Sequence, residues 1–217
     1  MDIPLMPLRM RRREMISSDI ILSGASVSMA DDIINYEGLL SSVADAVGKD
    51  VPIVAVDVKG IQRKDIDQDI LKKIRTKREF WLMTGIRNTG DLMDAFQGDI
   101  GKAVVPYQFT TDELLREMTE ISDCCIPALF VDDGGVLAGR KRKDLRGTVR
   151  TMEEMNFRKI LMFDVSGGDG IRLCEYAAGI SDALIPFIAS NRKEDIDSAN
   201  SLGFRDVIVP AVSLPRT

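Results

Sequence analysis

The sequence predicts an α/β fold, a TIM (β/α)8 barrel built from two half-barrel repeats, and three observations carry that expectation. Residues 80–111, FWLMTGIRNTGDLMDAFQGDIGKAVVPYQFTT, run as an apolar strand, a Gly turn, a helix opened by Asn88-Thr89 and a second apolar strand; the same plan returns in residues 184–210, LIPFIASNRKEDIDSANSLGFRDVIVP. Asp91 and Asp195 lie 104 apart (195 − 91), as do Pro106 and Pro210 (210 − 106). IVAVDVKG at 53–60 matches ILMFDVSG at 160–167, 107 apart (164 − 57), and IPLMPL at 3–8 matches IPALFV at 126–131, 123 apart (126 − 3). Four strand pairs in one order give a single domain with half-barrels at about 1–122 and 123–217.

The first strand, residues 3–8, is apolar on both faces, as barrel strands are, although Pro4 and Pro7 each remove an N–H from the ladder. Residues 9–30 form a long connection with a basic start, Arg9 to Arg13, and a Ser/Gly-rich middle. At the end of a barrel strand it lies over the mouth, where long loops are functional or mobile. Asp31 or Asp32 caps a helix to about Val47, which Gly48 ends. The second strand, 51–58, carries Asp57 at its C-terminal end. A helix from about Asp65 to Arg75 follows, with Ile66, Ile70, Leu71 and Ile74 on one face.

The third strand, 80–84, leads through Gly85-Ile86-Arg87-Asn88 to a helix ending at Phe96. The fourth, 102–106, leads to Thr110 or Thr111 as the cap of a helix with Leu114, Leu115 and Met118 inward; Tyr107 and Phe109 form either an apolar wall at the mouth or, the preferred reading, part of the core. After the fifth strand, 126–131, Asp132-Asp133-Gly134-Gly135 makes a small hairpin, and polar residues 139–143 precede a helix ending near Asn156. The sixth strand, 159–165, runs into Ser166-Gly-Gly-Asp169-Gly170 and a helix. The seventh, 183–189, runs into Ser190-Asn191-Arg192-Lys193 and a helix with Ile196, Ala199 and Leu202 inward. The eighth is 206–209. Seven residues follow Pro210, too few for the last helix of a barrel, so the outer faces of strands eight and one are expected to be covered by residues 9–30 or by a second copy in a homodimer.

At 45% apolar and 29% charged residues the 217-residue chain reads as soluble and globular, and its formal charge of −5 offers no general attraction for nucleic acid. The basic run Arg9 to Arg13 is the local exception, either a solvated turn or an anion-binding loop. Three cysteines, Cys124, Cys125 and Cys174, have neither metal-site nor disulfide spacing and read as small buried apolar residues of a reducing compartment. No apolar run approaches the roughly 20 residues of a membrane span and no secretory signal opens the chain, so a cytoplasmic location is expected. Histidine is absent. Acid–base chemistry near neutral pH therefore falls to carboxylates, Cys, Lys or Tyr with shifted pKa values. No metal and no cofactor are expected.

The pattern resembles the histidine-biosynthesis barrels, the family of ProFAR isomerase and the cyclase subunit of imidazole glycerol phosphate synthase. The resemblance is carried by the half-barrel repeat, Ile3-Pro4, Val56-Asp57, Thr84-Gly85-Ile86-Arg87-Asn88 with Asp91, Ala128-Leu129 before Asp133-Gly134, and Phe163-Asp164-Val165-Ser166 before Asp169-Gly170. It implies a phosphorylated, sugar-like small molecule or another anion as ligand. Two departures fall on the chemistry. Where the family places its two catalytic aspartates this chain has Pro7 and Phe130, neither of which can move a proton. Where the family offers glycine N–H groups to two phosphates, this chain has Thr84-Gly85, Ser190-Asn191, Pro106 and Pro210, and each proline removes a donor.

The candidate acid–base groups are therefore Asp57, Asp164 and Asp132. The ligand- or phosphate-binding candidates are Thr84, Gly85, Arg87, Asn88, Ser166, Asp169, Ser190 and Arg192, with Lys193 beside them. For Asp57 and Asp164, proton transfer and a purely structural role at the barrel rim are both open on sequence. The functional alternatives are an isomerase- or lyase-like enzyme without classical ProFAR isomerase activity, and a non-catalytic binding or assembly subunit that keeps the barrel.

Overall fold

The computed structural model of the chain describes residues 1–24, 26–48, 50–74, 78–190 and 192–213. β1 (Asp2–Arg11) turns back into β2 (Glu14–Ser17); a second hairpin, β3 (Ile20–Ser23) and β4 (Ser26–Met29), precedes β5 (Ile34–Asn35) and α1 (Tyr36–Val47). Then come β6 (Ile53–Asp57), α2 (Val58–Arg63), α3 (Gln68–Lys73), β7 (Phe80–Met83), α4 (Thr89–Gln97), β8 (Lys102–Pro106), a 3-10 turn (Tyr107–Phe109) and α5 (Asp112–Ile121). The second half holds β9 (Cys125–Asp132), β10 (Gly135–Ala138), β11 (Lys141–Asp144), α6 (Leu145–Glu154), β12 (Ile160–Asp164), α7 (Ile171–Ala177), β13 (Leu184–Pro186), α8 (Lys193–Ser201), β14 (Val207–Pro210) and a 3-10 turn (Ala211–Ser213).

The result is a mixed α/β fold whose central sheet has twelve strands and is mostly parallel; β3 and β4 form a separate two-stranded sheet. Parallel pairing runs β14–β1–β6–β7–β8–β9–β12–β13. Just beyond β13, Phe187 bridges Ile208 of β14 in parallel, and the Ile188 N–H donates to the Ile208 carbonyl at 2.8 Å.

The sequence offsets reappear as register. Pro7 faces Val56 and Leu8 faces Asp57 across β1–β6; Phe130 faces Phe163 and Val131 faces Asp164 across β9–β12. Ala55 faces Leu82 as Met162 faces Pro186, and Met83 faces Val104 as Phe187 faces Ile208. Val105 faces Pro127 as Val209 faces Pro4. Every second pair is the first displaced by the offsets 104, 107 or 123. Asp91 and Asp195 accordingly sit in the first turns of α4 and α8, the helices after the third parallel strand of each half.

Alternation along the strands sorts the core into two layers. Met6, Ile53, Ala55, Leu82, Ala103, Leu129 and Met162 point to the helices. Ile3, Leu5, Val54, Val56, Trp81, Met83, Val104, Phe130, Leu161 and Phe163 point the other way and pack with Val58 and Ile61 of α2, Val27 of β4 and Phe109 of the 3-10 turn.

Several expected elements differ. The first strand extends to Arg11 because β2 pairs antiparallel along its end, and residues 9–30 form two hairpins instead of an irregular loop. Helix α1 is capped by Asn35, whose side chain accepts from the Gly38 N–H at 3.2 Å, and not by Asp31 or Asp32, because Ile34 and Asn35 are first drawn into pairing with β2. The helix expected from about Asp65 is the shorter α3, capped by Asp67, and an unexpected helix, α2, precedes it and ends at Lys64, which takes a left-handed conformation (φ 54°). Arg75 lies outside the described residues. Polar residues 141–144 are a strand, β11, paired with β10 although all four are exposed. The seventh strand is shorter than expected. The 132–135 hairpin forms as expected, with Asp133 (φ 46°) and Gly134 (φ 76°) at its two central positions.

Among the described residues the outer faces of β14 and β1 are covered. Val207 and Val209 of β14 and Met6 and Leu8 of β1 are buried in one layer with Leu39 and Val43 of α1, Ala199 of α8 and Ala211. This chain thus supplies the cover for which a second copy was one candidate.

Candidate functional site

Asp57 ends β6 and is 1% exposed. Its Oδ1 accepts from the Gly60 N–H at 2.7 Å, and its Oδ2 accepts from the Asp67 N–H at 3.0 Å and from Thr84 Oγ1 at 2.8 Å. One carboxylate therefore folds the chain at once into α2, anchors the start of α3 and ties both to the end of β7. Burial pushes its pKa up, against the pull of these hydrogen bonds. Its ionisation thus opposes folding: the stabilising contribution is full at acid pH and lost as pH rises through the folded-state value.

Thr84 is spent on Asp57. At Gly85 an added Cβ would lie 2.3 Å from the Asp65 nitrogen and 2.3 Å from the Gly60 carbonyl oxygen, so on that side the space is filled by the chain's own backbone. Asn88 caps α4 by accepting from the Asp91 N–H at 2.9 Å. Arg87 donates from Nε to Asp91 Oδ2 at 2.9 Å and from Nη2 to Oδ1 at 3.2 Å, and the same Oδ2 accepts the Arg87 backbone N–H at 2.9 Å. The second half repeats this: Arg192 donates from Nε to Asp195 Oδ2 at 2.8 Å, and its backbone N–H donates to Ser190 Oγ at 3.1 Å. Both arginines offered for anion binding are thus neutralised by the aspartates of the repeat, and Asn191 lies outside the described residues.

The Arg87 hydrogen bond holds Asp91 below the ordinary carboxylate value of 3.8. A group shifted down contributes stability above its unfolded pKa and loses it as pH falls through the folded value. Asp91→Asn is expected to lower the melting midpoint by about 2 °C at neutral pH, and the gap to close below the folded value of Asp91. Melts at neutral and strongly acid pH check this; a gap that persists in acid would remove the ion pair as its cause.

Asp164 is half-buried and accepts from Ser166 N at 2.9 Å and Ser166 Oγ at 2.6 Å. Asp169 Oδ1 accepts from the Ile171 N–H at 3.0 Å, while its carbonyl accepts from Ala189 N at 2.9 Å. Asp132 is paired with Arg142. Asp57, Asp132 and Asp164 share no hydrogen-bond partner among the described residues. What stands open beside Asp164 is a cavity of about 200 Å³ lined by Asp133, Gly134, Ser166, Arg172 and Tyr176 as well. Arg172 makes no ion pair among the described residues.

Pro7 and Phe130, at the positions where the resemblance would place aspartates, are both buried. Phe130, 1% exposed, stacks on Phe163 with ring centroids 5.3 Å apart, and Phe163 meets Phe187 at 5.6 Å, an aromatic ladder across β9, β12 and the end of β13. Val27 of the β3–β4 hairpin is 1% exposed and belongs to the same layer. Gln62 donates from Nε2 to the Val27 carbonyl at 2.9 Å, and the Gly24 N–H donates to the Val165 carbonyl at 3.2 Å. The hairpin is therefore fastened to α2 and to the end of β12.

Sequence reasoning missed one polar cluster. Tyr107 donates to Asp112 Oδ1 at 2.6 Å, and Lys143 donates to Asp112 Oδ2 at 2.9 Å and to the Tyr107 hydroxyl. Burial, helped by Asp112, pushes the Tyr107 pKa up although Lys143 opposes it. Lys143 reaches this site from β11, and a run of charged residues gave no sign of that pairing. Cys125 and Cys174 are buried thiols pushed up to about 12, so neither is a thiolate nucleophile near neutral pH; Cys124 is only half-buried.

Among the described residues no three His, Cys, Asp or Glu side chains are grouped to hold a metal ion, and no helix is long and apolar enough to cross a membrane. No family model matches this chain, and no curated protein matches it.

Proposed function

We propose that this chain is a divergent (β/α)8 barrel of the ProFAR isomerase type that works as a non-catalytic binding or assembly subunit. Closure of the eight parallel strands is supported by the uninterrupted run of pairings from β14 to β13 and the Phe187–Ile208 bridge. The observation that carries the functional reading is the filling of the inner layer: Val27 enters it from the hairpin, and the Phe130–Phe163–Phe187 ladder stands where proton-transfer groups would have to be. Active sites of barrels lie at the C-terminal ends of the strands. Here those ends carry Asp57, saturated by three donors, and two arginines held by their own aspartates.

The test is direct assay of ProFAR isomerisation with the purified chain. No turnover is expected, and turnover abolished by Asp164→Asn would overturn the reading. The second reading, an enzyme acting on a phosphorylated sugar-like molecule, is favoured by one observation, that Arg172, without an ion pair among the described residues, lines an open cavity beside Asp164.

A further inference from the structure

A cluster of exposed cations stands outside that site, at the tip of the β1–β2 hairpin. Arg11 faces Glu14 in the register, so Arg12 and Arg13 alone make the turn. Their φ values are 49° and 73°. Both lie in the left-handed region, the type I′ geometry that Asn-Gly adopts freely and that two arginines adopt against steric resistance. Residues strained in this way gather where a side chain is needed for binding.

The surroundings concentrate positive charge. Arg9 and Arg11 project from one face of β1, two residues apart. Lys73 of α3 donates from Nζ to the Arg13 carbonyl at 2.8 Å. All four arginines are exposed, and among the described residues neither they nor Lys73 form an ion pair. Five cations thus stand together on a chain whose formal charge is −5.

We propose that this hairpin docks an acidic protein segment, whose carboxylates take paired guanidinium hydrogen bonds from Arg9, Arg11, Arg12 and Arg13. The proposal rests on the assembly reading above and specifies the chemistry of the partner. Nucleic acid fits this surface less well. Single strands are held by stacking on exposed aromatic rings, and the one aromatic among the large exposed apolar side chains described is Tyr176, which lines the cavity beside Asp164. The negative remainder of the chain also repels a polyanion that extends past the hairpin.

Fluorescence anisotropy tests this with a labelled oligoglutamate peptide, an oligouridylate of equal charge, the full chain, and two variants. Arg12→Asn with Arg13→Gly installs unstrained turn residues; Arg11→Ser leaves the turn alone. The peptide is expected to bind at low salt and to weaken by about tenfold or more at several times that ionic strength. The turn variant is expected to bind it about tenfold more weakly while melting no lower than the parent chain, because Asn-Gly relieves the left-handed strain. Arg11→Ser is expected to bind about threefold more weakly.

No peptide binding at low salt overturns the proposal, as does unchanged binding in both variants. Tighter binding of the oligouridylate overturns the choice of partner. Turnover in the isomerase assay would remove the assembly reading without touching peptide binding, so the two failures are distinguishable.

Discussion

Phe163→Ala is expected to destabilise the fold by about 3–5 kcal/mol and to lower the melting midpoint by about 10 °C or more. Phe163 is 0% exposed and is the central rung of the ladder, with Phe130 on one side and Phe187 on the other. Truncation removes two ring contacts at once and leaves a cavity walled by strands whose register their neighbours fix, so the site cannot collapse to fill it. Denaturant unfolding checks the size of the loss. A value under about 1 kcal/mol would mean that the inner layer is loosely packed, and the argument that it is a core and not a site would go with it.

Gly85→Ala is expected to cost about 3 kcal/mol. The added methyl would meet the Asp65 nitrogen and the Gly60 carbonyl at 2.3 Å, and both are backbone atoms that cannot rotate away. Yielding would also pull on Asp57, whose partners are the Gly60 and Asp67 N–H groups and Thr84. The substitution separates two roles for this glycine. A phosphate-binding glycine would lose anion affinity with little change in stability; one that seats the β7 end against the α2–α3 connection loses stability first. Thermal melts with and without inorganic phosphate distinguish them, and a variant that melts like the parent but loses a phosphate-dependent shift would restore the anion site.

The repeat was legible in the sequence because it is written in local patterns: apolar strands, Asn88 before α4, Thr111 before α5 and the glycines at 134 and 135. The offsets read there return as strand register throughout the parallel sheet. The hairpins within residues 9–30 were not legible, because strands of four residues are too short for alternation to stand out from a polar loop. β11 was hidden for a related reason: its residues are all exposed, and only pairing with β10 makes it a strand.

At the site the limit was long-range bonding. The spacing of Asp57 marked it as a rim residue, but its partner Thr84 is 27 positions away, and Lys143 reaches Tyr107 across 36. No local pattern distinguishes an aspartate that caps one helix and anchors the cap of the next from one that moves a proton. The arginines were equally ambiguous. Arg87 and Asp91 are four apart and can pair along a helix start, yet the same spacing leaves the guanidinium free to turn to a ligand.

The matching registers at the two junctions between halves have a consequence for how the molecule can be divided. β8 meets β9 through Val105–Pro127 and Pro106–Ala128, and β14 meets β1 through Val209–Pro4 and Pro210–Leu5, the same register at both seams. An edge that β8 offers to β9 is therefore one that β1 is shaped to accept. A fragment holding residues 1–122 would carry both margins of that seam on one polypeptide, β1 at one and β8 at the other.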